Sequence, residues 1–267
     1  ASIEQQVKSI KKGCDIIVGT PGRVMDLIDR KVINLSELEF FVLDEADEML
    51  NMGFVDDIEH ILSLTPEQKK MLFFSATMPK SILEIAKKYM GKFKTLKVEN
   101  KDLTTNLTEQ IYFEVHHGDK FEALCRVLDF EQAFFGIIFC RTKIEVDEVT
   151  KHLKSRGYDA DALHGDITQS QRSKTLVEFK EKIVNILVAT DVAARGIDVN
   201  NLTHVINYSI PQEAEAYVHR IGRTGRAGRT GNAITLATYR ERGKIRALED
   251  FLDARLNVSE IEGLEPS

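Results

Sequence analysis

Short apolar runs rich in Val, Ile and Phe recur along the chain and alternate with stretches that carry apolar residues at helical spacing. This alternation constrains the fold more than any other feature. A strand, a crossover helix and a second strand build a parallel sheet clad in helices, so the class is α/β. The strand candidates are DIIVG (15–19), FFVLD (40–44), MLFFS (71–75), IYFEV (111–115), GIIFC (136–140), NILVA (185–189), HVINY (204–208) and NAITLAT (232–238). Most read as buried on both faces, as parallel strands are. Phe121, Leu124, Cys125 and Leu128 form one helical stripe and Val146, Val149 and Leu153 another, and both are assigned to the core.

A chain of 267 residues favours two domains at roughly 150 residues each. Between Val98 and Gln110 the sequence is polar and lacks apolar periodicity, which reads as a linker. The expected organisation is a first domain over 1–98, a linker over 99–108, a second domain over 109–258 and a tail over 259–267. Hydrophobic content of 43% and charged content of 29% are ordinary for a packed core. The net charge of −6 opposes a broad basic footprint, so any polyanion site must be local. Cys14, Cys125 and Cys140 are far apart and lack metal-ligand or disulfide spacing, which fits a reducing, cytoplasmic compartment. No apolar run approaches the ~18 residues of a membrane span.

Two segments carry chemistry. HRIGRTGRAGRTG, residues 219–231, crowds arginine and glycine between a helical pattern, PQEAEAYVHRI, and the strand NAITLAT. A Gly/Arg-rich segment is often a solvated tail, but this one is flanked by core elements, which favours guanidinium groups presented to phosphate by a folded loop. FFVLDEADEML places Asp44, Glu45, Asp47 and Glu48 just after a strand, where parallel sheets form ligand sites. Such hard oxygen donors suit Mg²⁺ bound together with substrate phosphates. The alternative is an acidic first helical turn that favours its own dipole.

Asp44-Glu45-Ala46-Asp47 resembles the name-giving motif of the DEAD-box ATP-dependent RNA helicases. Further motifs of that family follow in order: TPGR at 20–23, SAT at 75–77, IIFCRT at 137–142, QSQR at 169–172, ATDVAARGID at 189–198 and YVHRIGRTGRAG at 217–228. The similarity runs from about Ser2 to the last helix and looks nearest to the bacterial cold-shock and ribosome-assembly members. It implies two RecA-like parallel-sheet domains in tandem, ATP and Mg²⁺ as cofactors, and RNA as partner.

By this resemblance Asp44 holds Mg²⁺ through water, and Glu45 orients or deprotonates the water that attacks the γ-phosphate. Ser75 and Thr77 bond the acidic cluster, including Asp47, and couple the domains. Gly196 and Asp198 belong to the motif beside the nucleotide, with Asp198 at the ribose, and His219 links γ-phosphate, water and acids. Arg223 and Arg226 are the fingers toward the γ-phosphate, whereas Arg220 and Arg229 are structural or RNA-facing. Thr20, Gly22 and Arg23, read as a Pro/Gly turn, join Arg141, Thr142, Gln169, Arg172, Thr190 and Gly196 as the RNA-backbone set. Contacts to phosphate and 2′-hydroxyl make recognition independent of base sequence.

One family element is missing from these residues. The 267 residues contain no glycine-rich loop ending in Gly-Lys-Thr; Gly91-Lys92 and Gly243-Lys244 are followed by Phe93 and Ile245 and lie after the acidic motif. The first domain is therefore expected to be incomplete and N-terminally truncated, with apolar sheet surface exposed. Two outcomes follow for the 267 residues alone: negligible ATP hydrolysis, or a non-catalytic module that binds RNA or protein through the second domain.

Overall fold

The computed structural model describes residues 2–75, 77–97, 108–131, 133–195, 197, 199, 202–225 and 230–264. The chain divides into two compact units, Ala1–Val98 and Glu99–Ser267.

Unit 1 comprises α1 (Ile3–Ile10), α2 (Pro21–Asp29), β1 (Phe40–Leu43), α3 (Ala46–Asn51), α4 (Val55–Ser63), β2 (Lys70–Phe73) and α5 (Lys80–Met90). Strands β1 and β2 pair in parallel, with Phe40 opposite Lys70 and Leu43 opposite Phe73. Side chains alternate across the pair. Phe41, Leu43, Met71 and Phe73 turn onto Ile58, Leu62, Ile82 and Ile85 of α4 and α5. Phe40, Val42, Leu72 and Phe74 turn the other way and are exposed. The expectation of burial on both faces thus fails for this pair, whereas that of exposed apolar sheet surface describes it. DIIVG, expected as a strand, is none: Ile16 and Val18 are 81% and 93% exposed. Among the described residues no strand offers it a ladder, and apolar composition alone cannot satisfy its backbone groups.

Unit 2 follows the expected alternation: β3 (Thr108–Glu114), α6 (Lys120–Phe130), β4 (Gly136–Phe139), α7 (Lys143–Ser155), β5 (Ala160–Leu163), α8 (Gln169–Lys180), β6 (Ile186–Ala189), α9 (Asp191–Ala194), β7 (His204–Asn207), α10 (Ala214–Ile221), β8 (Gly231–Ala237), α11 (Arg242–Leu252) and β9 (Asn257–Ser259). All seven strands are parallel, in the order β5-β6-β4-β7-β8-β3-β9. Each inner strand feeds both faces of the sheet. Ile138, Val188, Ile206 and Ile234 pack with Leu124, Leu128, Val146, Val149 and Leu153 of α6 and α7. Ile137, Phe139, Leu187 and Val205 pack on the other face with Phe179 of α8 and Ala193 and Ala194 of α9. Burial on both faces is why these strands read as unbroken apolar runs.

Two edge strands escape the sequence pattern. ADAL at 160–163 mixes in Asp161, and NVS at 257–259 lies across the boundary drawn at 258; both are strands because β6 and β3 supply partners. Ile261 and Leu264 then pack on the unit 2 core, so residues expected as tail belong to the domain.

Candidate functional site

In unit 1 the acidic run divides into two pairs. Asp44 and Glu45 leave the carboxyl end of β1 at exposed positions, whereas Asp47 and Glu48 are buried in the first turn of α3. The chain turns between them at Glu45, whose left-handed backbone (φ 50°, ψ 47°) is costly for a residue with a Cβ. Ala46 N–H then bonds the Phe74 carbonyl at 3.1 Å, tying the start of α3 to the end of β2.

Asp47, 3% exposed, is enclosed by the segment after β2. Its Oδ2 accepts the Thr77 N–H at 2.8 Å and the Thr77 hydroxyl at 2.9 Å, and its own N–H donates to Ser75 Oγ at 3.1 Å. Oδ1 accepts the Glu48 N–H at 3.1 Å. Burial pushes the Asp47 carboxyl up, but the bonds from Thr77, Ser75 and Glu48 outweigh it and hold Asp47 below the usual carboxylate range. Asp47 thereby ties the first turn of α3 to the segment after β2. Asp44 keeps Oδ1 on the Glu45 N–H at 3.0 Å and faces solvent. The four acids thus split into an outward pair, Asp44 and Glu45, and an inward pair, Asp47 and Glu48; among the described residues no three His, Cys, Asp or Glu side chains gather as a metal cage.

Thr20, Gly22 and Arg23 also differ from expectation. Pro21 opens α2 instead of a free turn, a position where its missing N–H costs nothing. Arg23 N–H and Val24 N–H bond the Thr20 carbonyl at 3.0 Å each, and the Arg23 guanidinium donates to Gln6 Oε1 at 3.0 Å. Thr20 and Gly22 remain exposed at the helix start.

In unit 2 the carboxyl ends of the adjacent strands β4 and β6 bring several residues together. Thr142 caps α7, its hydroxyl accepting the Glu145 N–H at 3.1 Å, while the Glu145 carboxylate accepts the Arg141 N–H at 2.7 Å and the Ser209 hydroxyl at 2.7 Å. Thr190 caps α9, and Arg172 on α8 donates to the Ala193 carbonyl of α9 at 2.8 Å. Gln169, the first residue of α8, is exposed. Caps at the ends of adjacent strands β4 and β6 thus fix Thr142 and Thr190, and the bond to α9 holds Arg172 beside them.

The arginines after β7 separate by burial. Arg220 is 2% exposed, forks onto Asp191 at 2.6 and 2.8 Å, donates to Asn207 Oδ1 and the Ser209 carbonyl, and lies over the Phe139 ring. It is a structural clamp. Arg223 is half-buried and donates to the Ile197 carbonyl at 3.4 Å; His219, also half-buried, sits one turn earlier on α10. Thr224 then anchors the loop by donating to the Leu202 carbonyl at 2.7 Å. Gly225 takes a positive φ of 68°, and a Cβ at Gly231 would fall 2.0 Å from Thr224 Oγ1, so glycine permits this close return. Gly196, Asp198, Arg226, Gly228 and Arg229, with the linker 99–107, lie outside the described residues.

Sequence reasoning missed the residues that hold these groups in place. Glu145, Asp191 and Glu241 are acids within helices or turns, and only their partners distinguish them from solvated charges. The run YRERGKIR after β8 was not singled out either, though its exposed tyrosine among arginines was a usable signal.

A family profile described as DEAD/DEAH box helicase matches residues 1–85, and one described as Helicase conserved C-terminal domain matches residues 119–228. The DEAD-box ATP-dependent RNA helicase CshA of Bacillus subtilis is 51% identical over 255 residues, 96% of this chain and 52% of that protein. The chain thus spans about half the length of that relative. A DEAD box protein from the hyperthermophile Methanococcus jannaschii is 47% identical, with 98% of this chain and 70% of that one covered and a TM-score of 0.55. S. cerevisiae Dbp5 bound to RNA and ADP BeF3 is 33% identical, with 91% of this chain and 65% of that one covered and a TM-score of 0.84.

Proposed function

Because the chain belongs to the DEAD-box family of ATP-dependent RNA helicases, we propose that it supplies two parts of such an enzyme: the acids for γ-phosphate hydrolysis from unit 1, and an RNA-backbone surface with phosphate-facing arginines from unit 2. The observation that carries this reading is the division of the acidic run. Thr77 and Ser75 take Asp47, which leaves Asp44 and Glu45 outward at the carboxyl end of a parallel strand.

Glu45 is the base or orienter of the attacking water, and it stands exposed at the left-handed turn before α3. Asp44 fits Mg²⁺ held through water, since a single exposed carboxylate suits an ion that keeps its hydration and takes further oxygens from phosphate. When bound, the ion neutralises charge on the triphosphate. Ser75 and Thr77 hold Asp47, and Asp198 contacts the ribose, with Gly196 beside it. His219 joins the acids to the γ-phosphate, while Arg223 and Arg226 stabilise charge on it, a role that can contribute roughly 10³ to 10⁵ in rate.

Arg141, Thr142, Gln169, Arg172 and Thr190, with Thr20, Gly22 and Arg23, contact sugar and phosphate without reading bases. The energy of hydrolysis would be used to separate short duplexes locally. Without a Gly-Lys-Thr loop the 267 residues hydrolyse ATP negligibly, and taken alone they act as an RNA-binding module. Two buried free cysteines accord with a cytoplasmic setting.

The test is RNA binding by the chain across base sequences and salt concentrations. Affinity should be indifferent to sequence and fall with salt by a slope of about 0.7 per phosphate contacted. Affinity independent of salt, or strongly dependent on base identity, contradicts the backbone reading.

A further inference from the structure

The carboxyl edge of unit 2 extends past Arg141 and Thr190 to the turn that follows β8. Thr238 to Glu241 close on themselves: Thr238 donates its N–H at 3.2 Å and its hydroxyl at 3.1 Å to Glu241 Oε2. The same carboxylate takes Lys120 at 3.5 Å, Lys244 at 3.3 Å and the Arg141 guanidinium at 3.7 Å. One acid therefore ties this turn to α6, α11 and the loop after β4. Strands β4 and β8 are two spacings apart, roughly 10 Å.

At the tip of this fixed turn the Tyr239 ring is 67% exposed. The Arg242 guanidinium lies 4.5 Å from the ring centroid, and Arg242 is itself held by Glu114 Oε2 at 2.7 Å. Glu114 ends β3, is buried, and among the described residues its Oε1 has no hydrogen-bond partner. Arg240, the next residue, is also exposed, and exposed His116 and His117 follow β3 on the neighbouring strand end, where Val115 N–H bonds the Ala237 carbonyl. A tyrosine recruited for packing would be buried. This ring instead combines extensive exposure with the Arg242 guanidinium against it and exposed Arg240 next in sequence, on a chain whose net charge is −6. Rigid aromatic surface among cations is what stacks a base and meets its phosphates.

We propose that Tyr239, with Arg240 and Arg242, forms an additional single-stranded RNA contact, in which a base stacks on the Tyr239 ring and the adjoining phosphates meet the arginines. It rests on the reading of Arg141, Thr142 and Thr190 as RNA-backbone residues and lengthens that surface along the sheet edge. The link through Glu241 to Arg141 favours RNA over an acidic peptide, because one strand of nucleic acid would meet both groups in continuity. Any nucleotide sequence is accepted, since every base has a face to stack.

The test uses the 267-residue chain with oligouridines, one too short to reach both Arg141 and Tyr239 and one long enough to do so. Tyr239→Ala should weaken the longer RNA about five- to hundredfold and leave the shorter unchanged. Tyr239→Phe should restore binding, and Arg172→Ala should weaken both lengths. Photo-crosslinking with 4-thiouridine in the longer RNA should label the peptide containing Tyr239. Equal affinity of wild type and Tyr239→Ala for the longer RNA, with no label there, overturns the proposal while leaving the functional reading standing. Failure of the unsubstituted chain to bind either RNA overturns the functional reading beneath it. A poly-glutamate peptide that binds at Tyr239 and displaces no RNA overturns the assignment in favour of an acidic protein partner.

Discussion

Thr77 donates both its backbone N–H and its hydroxyl to Oδ2 of Asp47, at 2.8 and 2.9 Å. Thr77, four residues past the end of β2, thus ties the segment after β2 to the first turn of α3. The carboxylate is also in the charged form at neutral pH, where bonds to it are strong.

Removing the hydroxyl should therefore cost about 1.5 to 3 kcal/mol locally. Thr77→Ala is expected to lower hydrogen-exchange protection of the α3 and β2 amides about tenfold or more, with unit 2 unaffected. The pH dependence has a definite sign. Asp47 is held below its unfolded value, so its contribution is present above about pH 4 and is lost as the pH falls through the folded value. Asp47→Asn should remove that acid step in unit 1 protection; an unchanged step would assign it to another carboxylate.

Unit 1 covers its two-stranded sheet on one face, whereas unit 2 covers seven strands on both. Burial on two faces raises the free energy of local opening. Limited proteolysis should leave a resistant fragment that begins near Thr108 and retains β9. A resistant fragment confined to residues 1–98 would show that the exposed Phe40, Val42, Leu72 and Phe74 do not weaken unit 1.

The fold was legible where burial and local pattern agree. GIIFC, NILVA and HVINY are apolar without interruption because helices cover both faces, and the stripes of α6 and α7 are regular because each meets one face. ADAL was not legible, since Ala160 and Asp161 gain strand geometry only from pairing with β6. DIIVG misled in the opposite sense: its composition suits a strand, and the ladder is absent among the described residues. At the site, ordered motifs located Asp44, Glu45, Asp47, Ser75 and Thr77. Motifs set Arg220 apart from Arg223 but could not choose between a structural and an RNA-facing role for it, because spacing carries no information on burial and its partner Asp191 lies 29 residues away.

His204, at the amino end of β7, should make unit 2 sensitive to mild acid. Its ring stacks on Phe134 with centroids 5.0 Å apart, Nδ1 meets Thr203 Oγ1 at 2.7 Å, and Nε2 meets Asn232 at 3.0 Å and Glu131 at 3.2 Å. Burial lowers its pKa and outweighs the opposing pull of Glu131. A neutral form favoured by folding contributes stability that is present above about pH 6.5 and declines as the pH falls toward the lower folded value. Urea midpoints of wild type should therefore fall between pH 7 and 5 (about two pH units across the reference value), and His204→Gln should flatten that slope. A midpoint that rises on acidification would mean the Glu131 ion pair dominates.

Arg220 gives the sharpest distinction between a structural and an RNA-facing role. Its fork binds both oxygens of Asp191, its third nitrogen serves Asn207 and the Ser209 carbonyl, and its flat face covers Phe139. Arg220→Ala leaves Asn207, which is fully buried, short of a donor and removes the ion pair, a loss of about 3 to 5 kcal/mol for a buried pair. The low end applies because Asp191 stays partly hydrated. Arg220→Lys retains the charge but cannot reproduce the bidentate geometry, so it should recover only part of the loss. Urea unfolding followed by far-ultraviolet circular dichroism reads both values. RNA affinity measured with Arg220→Lys under conditions where unit 2 remains folded should match wild type, because the guanidinium has no donor turned toward solvent to offer phosphate beyond those already engaged. A drop in RNA affinity larger than the drop in stability would place Arg220 on the RNA surface and return the clamp to Asp191 and Asn207 alone.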